Sequence, residues 1–316
     1  MDSSLVGSGY ADHLTDADLA LLVAVTQGLT GPTRAAAGAA RLRGRPEDVP
    51  LLIGDPRVFQ AVFGPAAGTA VRGNAAPALG PAAPASLASP FLIFAVAVHR
   101  AAAELPSMSH VTERSGDRQR VPLFDTPQLR DFLASAARRL FLAELLGSFT
   151  RSSVAPQQTA GGPPGTRPGR GPRRPRRVSE LDLPRMAGLL GEVPEAQRPG
   201  AYRRLGDVAL FLAGVFPDYA AAHAFGPVNV ARLLRAGQVP AREHDTLAEA
   251  PAIELLEYLG AQWYRAAWNL APARTARLAI VADVADRFRQ ARRVLNHIAD
   301  RYLFPLGDPW FAPPAP

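Results

Sequence analysis

Apolar residues recur at three- and four-residue spacing along most of the chain, the repeat of amphipathic helices. Thr15, Asp16 and Asp18 mark a capped helix start, with acids favoured by the helix dipole. That helix runs to about Gln27 and turns Leu19, Leu22 and Val23 inward. Pro32 opens an alanine-rich helix to about Leu42, and Asp55–Pro56 opens a short one through Phe63. Residues Gly64 to Ala88 read as an Ala/Pro/Gly loop. Ser89–Pro90 then caps a helix whose residues Phe91 to Val98 are apolar on every side, which predicts burial all round. His99 follows it and reads as a hydrogen-bonded core residue. The single β signal is His110 to Arg114 and Arg118 to Phe124 around Ser115-Gly116-Asp117, a hairpin with Glu113 and Arg114 facing Arg118 and Arg120. Thr126–Pro127 starts a helix through Ala134, and a further helix carries Leu140, Leu142, Leu145, Leu146 and Phe149.

The second half repeats this helical pattern. Pro184 opens a short helix over Leu183 to Leu190. Across Pro199 to Tyr219 one face carries Tyr202, Leu205, Ala209, Leu212 and Phe216, and a second carries Val208, Phe211 and Val215. Pro227 opens a helix to about Ala236. Glu254 to Leu270 is expected to pair in an antiparallel hairpin with one long helix from Pro272 to about Leu303. No segment recurs at the 34-residue offset of a helical repeat array. The tail PLGDPWFAPPAP is Pro-rich and carries Trp310 and Phe311, which either pack back on the helices or serve as a ligand for a groove.

Between the halves lies Arg151 to Arg177, with seven arginines (151, 167, 170, 173, 174, 176 and 177) and no acid. The chain carries 35 basic and 28 acidic residues, so this segment accounts for the whole formal charge of +7 and the remainder is neutral. Its lack of aromatic residues and scarcity of aliphatic ones predict disorder. The expected fold is therefore mainly α, with two helical-bundle domains. Residues 1–150 form the first, with a β-hairpin near 109–124. Residues 151–178 form a disordered Arg/Pro/Gly linker, 179–305 the second domain, and 306–316 the tail.

Two missing residue types restrict the chemistry. Without cysteine there are no thiol nucleophiles, disulfides or Cys-type zinc sites. Every basic position is arginine, and the absence of lysine excludes the P-loop lysine, Schiff bases and Ser–Lys dyads. The longest apolar run, Pro90 to Val98, is well short of the ~20 residues of a membrane span. With no basic, apolar leader at the N-terminus, the expectation is a cytoplasmic protein without membrane contact.

The candidate polar site comprises Arg203, Arg204, Asp207, Asp218, Tyr219 and His223. Asp207 sits within an apolar stretch and needs a partner, which Arg203 or Arg204 can supply from one turn back. On the last two helices, Glu254/Glu257 and His297/Asp300 have the i, i+3 spacing used in helical-bundle metal sites but lack the Glu-x-x-His pattern, so neither a metal nor another cofactor is expected. Three functions follow. The leading one is a non-enzymatic interaction or regulatory protein with a protein partner. The second is a sequence-nonspecific nucleic-acid-associated protein using Arg167, Arg170, Arg173, Arg174, Arg176 and Arg177. The third is an enzyme with a carboxylate–arginine site near Asp207.

Overall fold

A computed structural model describes residues 3–29, 31–64, 88–114, 119–150, 181–222, 225–306 and 311. The linker, the six arginines proposed to contact nucleic acid, His223, Trp310 and most of the 64–88 loop lie outside the described residues. Among those described, sixteen α-helices and one two-stranded hairpin make up a mainly α protein. No described helix is long and apolar enough to cross a membrane.

In the first half, α1 spans Ser3–His13, α2 Asp16–Gln27, α3 Pro32–Arg43, α4 Val49–Ile53, α5 Pro56–Phe63 and α6 Pro90–Glu104. Strands β1 (Val111–Arg114) and β2 (Arg120–Leu123) follow, then α7 (Thr126–Ala134) and α8 (Ala136–Ser148). The expected caps form. The Thr15 hydroxyl accepts from the Asp18 N–H at 3.1 Å, and the Asp18 carboxylate accepts from the Thr15 N–H at 2.9 Å. That carboxylate is fully buried and also accepts from the Ser89 N–H at 2.7 Å, which ties the start of α2 to the start of α6. Helix α6 is buried from Phe91 through His99, and His99 shares a 3.0 Å hydrogen bond with the Tyr10 hydroxyl.

The hairpin is antiparallel, with Arg114 opposite Arg120 and Glu113 opposite Val121. The expected pairing of Glu113 with the arginines across the hairpin is therefore corrected. Alternation along the strand turns Glu113 toward the core face, where it meets Arg292 and Arg293 of the second half.

The second half contains α9 (Leu183–Leu189), α10 (Arg198–Val215), α11 (Pro217–Ala222), α12 (Pro227–Ala236), α13 (His244–Ala248), α14 (Ala252–Leu270), α15 (Ala276–Asp286) and α16 (Phe288–Ile298). Helix α10 is buried almost throughout, and stops at Phe216 because proline at 217 disfavours helical backbone at the residue before it. It packs closely on α14 at Gly206, where a Cβ would overlap the Tyr264 ring.

The long helix expected from Pro272 to Leu303 is instead divided. Pro272 stays in the connection, and α15 starts at Thr275, whose hydroxyl accepts from the Leu278 N–H at 3.2 Å. Ala271 has no such acceptor, so the threonine cap sets the start. The helix breaks at Arg287 (φ −122°, ψ 29°). Phe288 immediately beyond it is buried against Gly260 of α14, where any side chain would collide with the ring. After α16, residues Ala299–Leu303 form a wider π turn.

One apolar core runs through both halves, from Val6 to Phe311. Phe149 stacks on Phe211 (4.1 Å between centroids, 17° between planes), and Phe141 packs edge-on against Tyr264 at 6.0 Å. Ion pairs cross the same junction: Arg138–Asp283 at 2.9 Å, Arg301–Glu104 at 2.9 Å, Arg292–Glu113 and Arg293–Asp125.

Candidate binding cleft at the junction of the two halves

The candidate polar residues fall into two places. Asp207 is buried midway along α10. Its closest partner is the Tyr264 hydroxyl of α14, which donates to Oδ1 at 2.8 Å, while Arg203 Nε lies 3.9 Å from Oδ2. Burial raises the Asp207 pKa above the usual carboxylate range, opposed by Arg203 and by the Tyr264 hydrogen bond. Burial and the adjacent carboxylate also push the Tyr264 hydroxyl well up. Arg204 turns the other way, donating to Ser148 Oγ at 3.1 Å and lying over the Phe149 ring at 4.2 Å. The cavity bordered by Arg203, Leu140, Phe141 and Glu144 is about 30 Å³, room for about one water.

Asp218 and Tyr219 lie beyond the C-terminal end of α10, on α11, and border a cleft of about 490 Å³. Neither half alone builds it. The hairpin contributes Arg114 and Arg120; the second half contributes Phe216, Asp218, Tyr219, Asp300, Phe304 and Pro305. Arg114 Nη2 donates to the Val215 carbonyl at 2.9 Å, at the C-terminal end of α10, where carbonyls lack an intrahelical partner. Its Nη1 is 3.6 Å from Asp218 Oδ2 and its Nε 3.9 Å from Asp300 Oδ1. The guanidinium lies 4.9 Å over the Phe304 ring. Its Nε is buried and makes no hydrogen bond among the described residues. Arg120 Nη2 donates to Asp300 Oδ1 at 2.9 Å, and Arg120 remains mostly exposed.

The position of Arg114 depends on Asn296 of α16, which is fully buried. Its Oδ1 accepts from the Arg114 N–H at 2.9 Å and its Nδ2 donates to the Arg114 carbonyl at 3.4 Å. The amide thus occupies the place a neighbouring strand would take along β1. Alternation then turns Pro122, opposite Thr112, toward the free edge of β2, where a proline lacks the N–H that another strand would need.

Two of the four positions considered for a metal, Glu257 and Asp300, are used in ion pairs. Glu257 accepts from Arg292 Nε at 2.6 Å and Arg289 Nε at 2.9 Å, and Asp300 holds the two hairpin arginines. His297 is buried against Tyr302, and desolvation, with Arg301 adding to it, lowers its pKa to about 4. No group of three or more metal-ligating side chains occurs among the described residues. Sequence reasoning grouped Asp218 and Tyr219 but missed Arg114, Arg120 and Phe304 as their neighbours in the cleft, and Tyr264 as the partner of Asp207. The signal in the chain was the Arg114/Arg120 pair flanking a turn; its acids, Asp218 and Asp300, come from more than 100 residues away.

No family model, curated protein or solved structure matches this chain.

Proposed function

We propose that the protein is a non-enzymatic interaction protein that takes an extended segment of a protein partner into the cleft at the hairpin. The lining supports this reading. Two arginines balance two aspartates, so the cleft is neutral but offers both donors and acceptors, the complement of an extended backbone. Phe216, Tyr219, Phe304 and Pro305 give apolar walls for one or two side chains, and the volume falls within the usual range of ligand sites. The test is a displayed-peptide selection against wild type, counter-screened with the double variant Arg120→Glu/Phe304→Ala. Peptides should enrich on wild type and bind the variant at least tenfold more weakly. Enrichment that the variant does not reduce would remove the cleft from the account.

A second reading rests on the charge of +7 concentrated in Arg151 to Arg177. If those seven arginines engage duplex DNA, log K should fall against log salt with a slope of about −6, and replacing them with glutamine should abolish binding. Equal binding by both proteins in an anisotropy titration would rule this out.

A further inference from the structure

Phe311 is buried in a cage of rings: it stacks on Phe94 (5.5 Å, 13°), meets Phe211 edge-on at 5.0 Å and stands perpendicular to Phe216 at 6.3 Å. Its backbone forms an antiparallel bridge with Thr150. A single aromatic anchor with backbone pairing is a mode by which folded proteins take short peptides. The ring that closes this cage also walls the cleft, because Phe216 lies 6.0 Å from Phe304.

We propose that the Phe311 seat is the aromatic specificity pocket of the cleft, held in cis by the protein's own Phe311 and open to a partner segment carrying an aromatic residue two positions before a proline. This rests on the cleft reading for the identity of the partner surface, whereas the ring cage around Phe311 stands on its own geometry. The occupant's chemistry is read from the occupant present: Phe311 is preceded by Trp310 and followed by Ala312-Pro313-Pro314. Only four residues lie between Leu306 and Phe311 in the sequence, so the ring reaches its seat as an intramolecular ligand, at an effective concentration on the order of millimolar. A free peptide with the same anchor therefore competes poorly with the intact tail and well once the anchor is removed.

The probe is a fluorescein-labelled peptide of residues 307–316, titrated against the full-length chain. The Phe311→Ala variant should bind it saturably and at least tenfold more tightly than wild type. A peptide carrying alanine in place of Phe311 should not bind. Equal binding by wild type and variant, or by both peptides, would overturn the proposal. Should the variant unfold, as circular dichroism will show, the wild-type chain with 4-fluorophenylalanine at position 311 alone serves instead. Its fluorine resonance should move to the solvent-exposed position as unlabelled peptide is added, and an unmoved resonance at saturating peptide would contradict displacement. Adding Arg120→Glu to Phe311→Ala separates the two readings. Unchanged peptide affinity leaves the pocket intact and counts against the cleft alone, whereas a loss of affinity joins the two into one surface.

Discussion

At the residue scale, Asp207 shows what local spacing reveals and what it misses. The i−4 relation correctly placed Arg203 beside it, but the shorter bond comes from Tyr264, 57 positions along the chain. No periodicity in one helix shows which side chain of another will face it. The same holds for Asp18: its capping role was legible, its bond to Ser89 was not. Removing the tyrosine hydroxyl should leave a buried carboxyl without its donor. Tyr264→Phe is expected to lower stability by about 1–3 kcal/mol in urea melts. Asp207→Asn retains an acceptor for that hydroxyl and should cost less. The reverse order would mean that charge, through Arg203, governs the site.

Two buried histidines are expected to contribute to the acid limb of stability. Desolvation, with Arg139 adding to it, lowers the His99 pKa from about 6.5 to about 3, while that of His297 falls to about 4. The unfolded chain takes up these protons as pH drops below about 6.5, but the folded chain does not. Each histidine should therefore remove about 1.4 kcal/mol of stability per pH unit, from about pH 6.5 down to its folded value. Asp207 acts with the opposite sign: its raised pKa stabilises the fold as pH falls through the folded value. In denaturant melts between pH 7 and pH 5, His99→Gln should reduce the pH dependence. An unchanged dependence would show that His99 does not contribute.

At the scale of elements, most helices were legible because their ends carry chemical signals. Asp55–Pro56 and Ser89–Pro90 begin helices where proline and a cap predict, and Pro227 begins one where proline alone does. The break at Arg287 was not legible, because it answers to Phe288 lying against Gly260 of another helix. The hairpin was legible as two strands but not as a wall of the cleft, since its anchoring comes from α16. Asn296→Ala should leave both the N–H and the carbonyl of Arg114 without their partner. The Arg114 amide is then expected to exchange hydrogen at least tenfold faster, with a stability loss of about 1–3 kcal/mol. Unchanged exchange would show that the hairpin is held by its ion pairs, chiefly those of Glu113 with Arg292 and Arg293.

At the scale of the molecule, the mainly α character follows from composition and periodicity, whereas the meeting of the halves does not. Their inward faces were each visible as apolar stripes, but the rings that cross between them, Phe149 on Phe211 and Phe141 on Tyr264, depend on the tertiary arrangement. Arg138–Asp283 and Arg301–Glu104 are likewise invisible to local spacing. The proposed binding cleft is lined from both halves and exists only where they share one core. The direct measurement is to place a specific protease site within residues 151–177, cut the chain there, and run the product on a sizing column at micromolar concentration. The halves should co-elute at the size of the uncut protein and melt in one transition, with peptide affinity retained. Separation into two folded fragments that melt independently would contradict the shared core and the cleft built upon it.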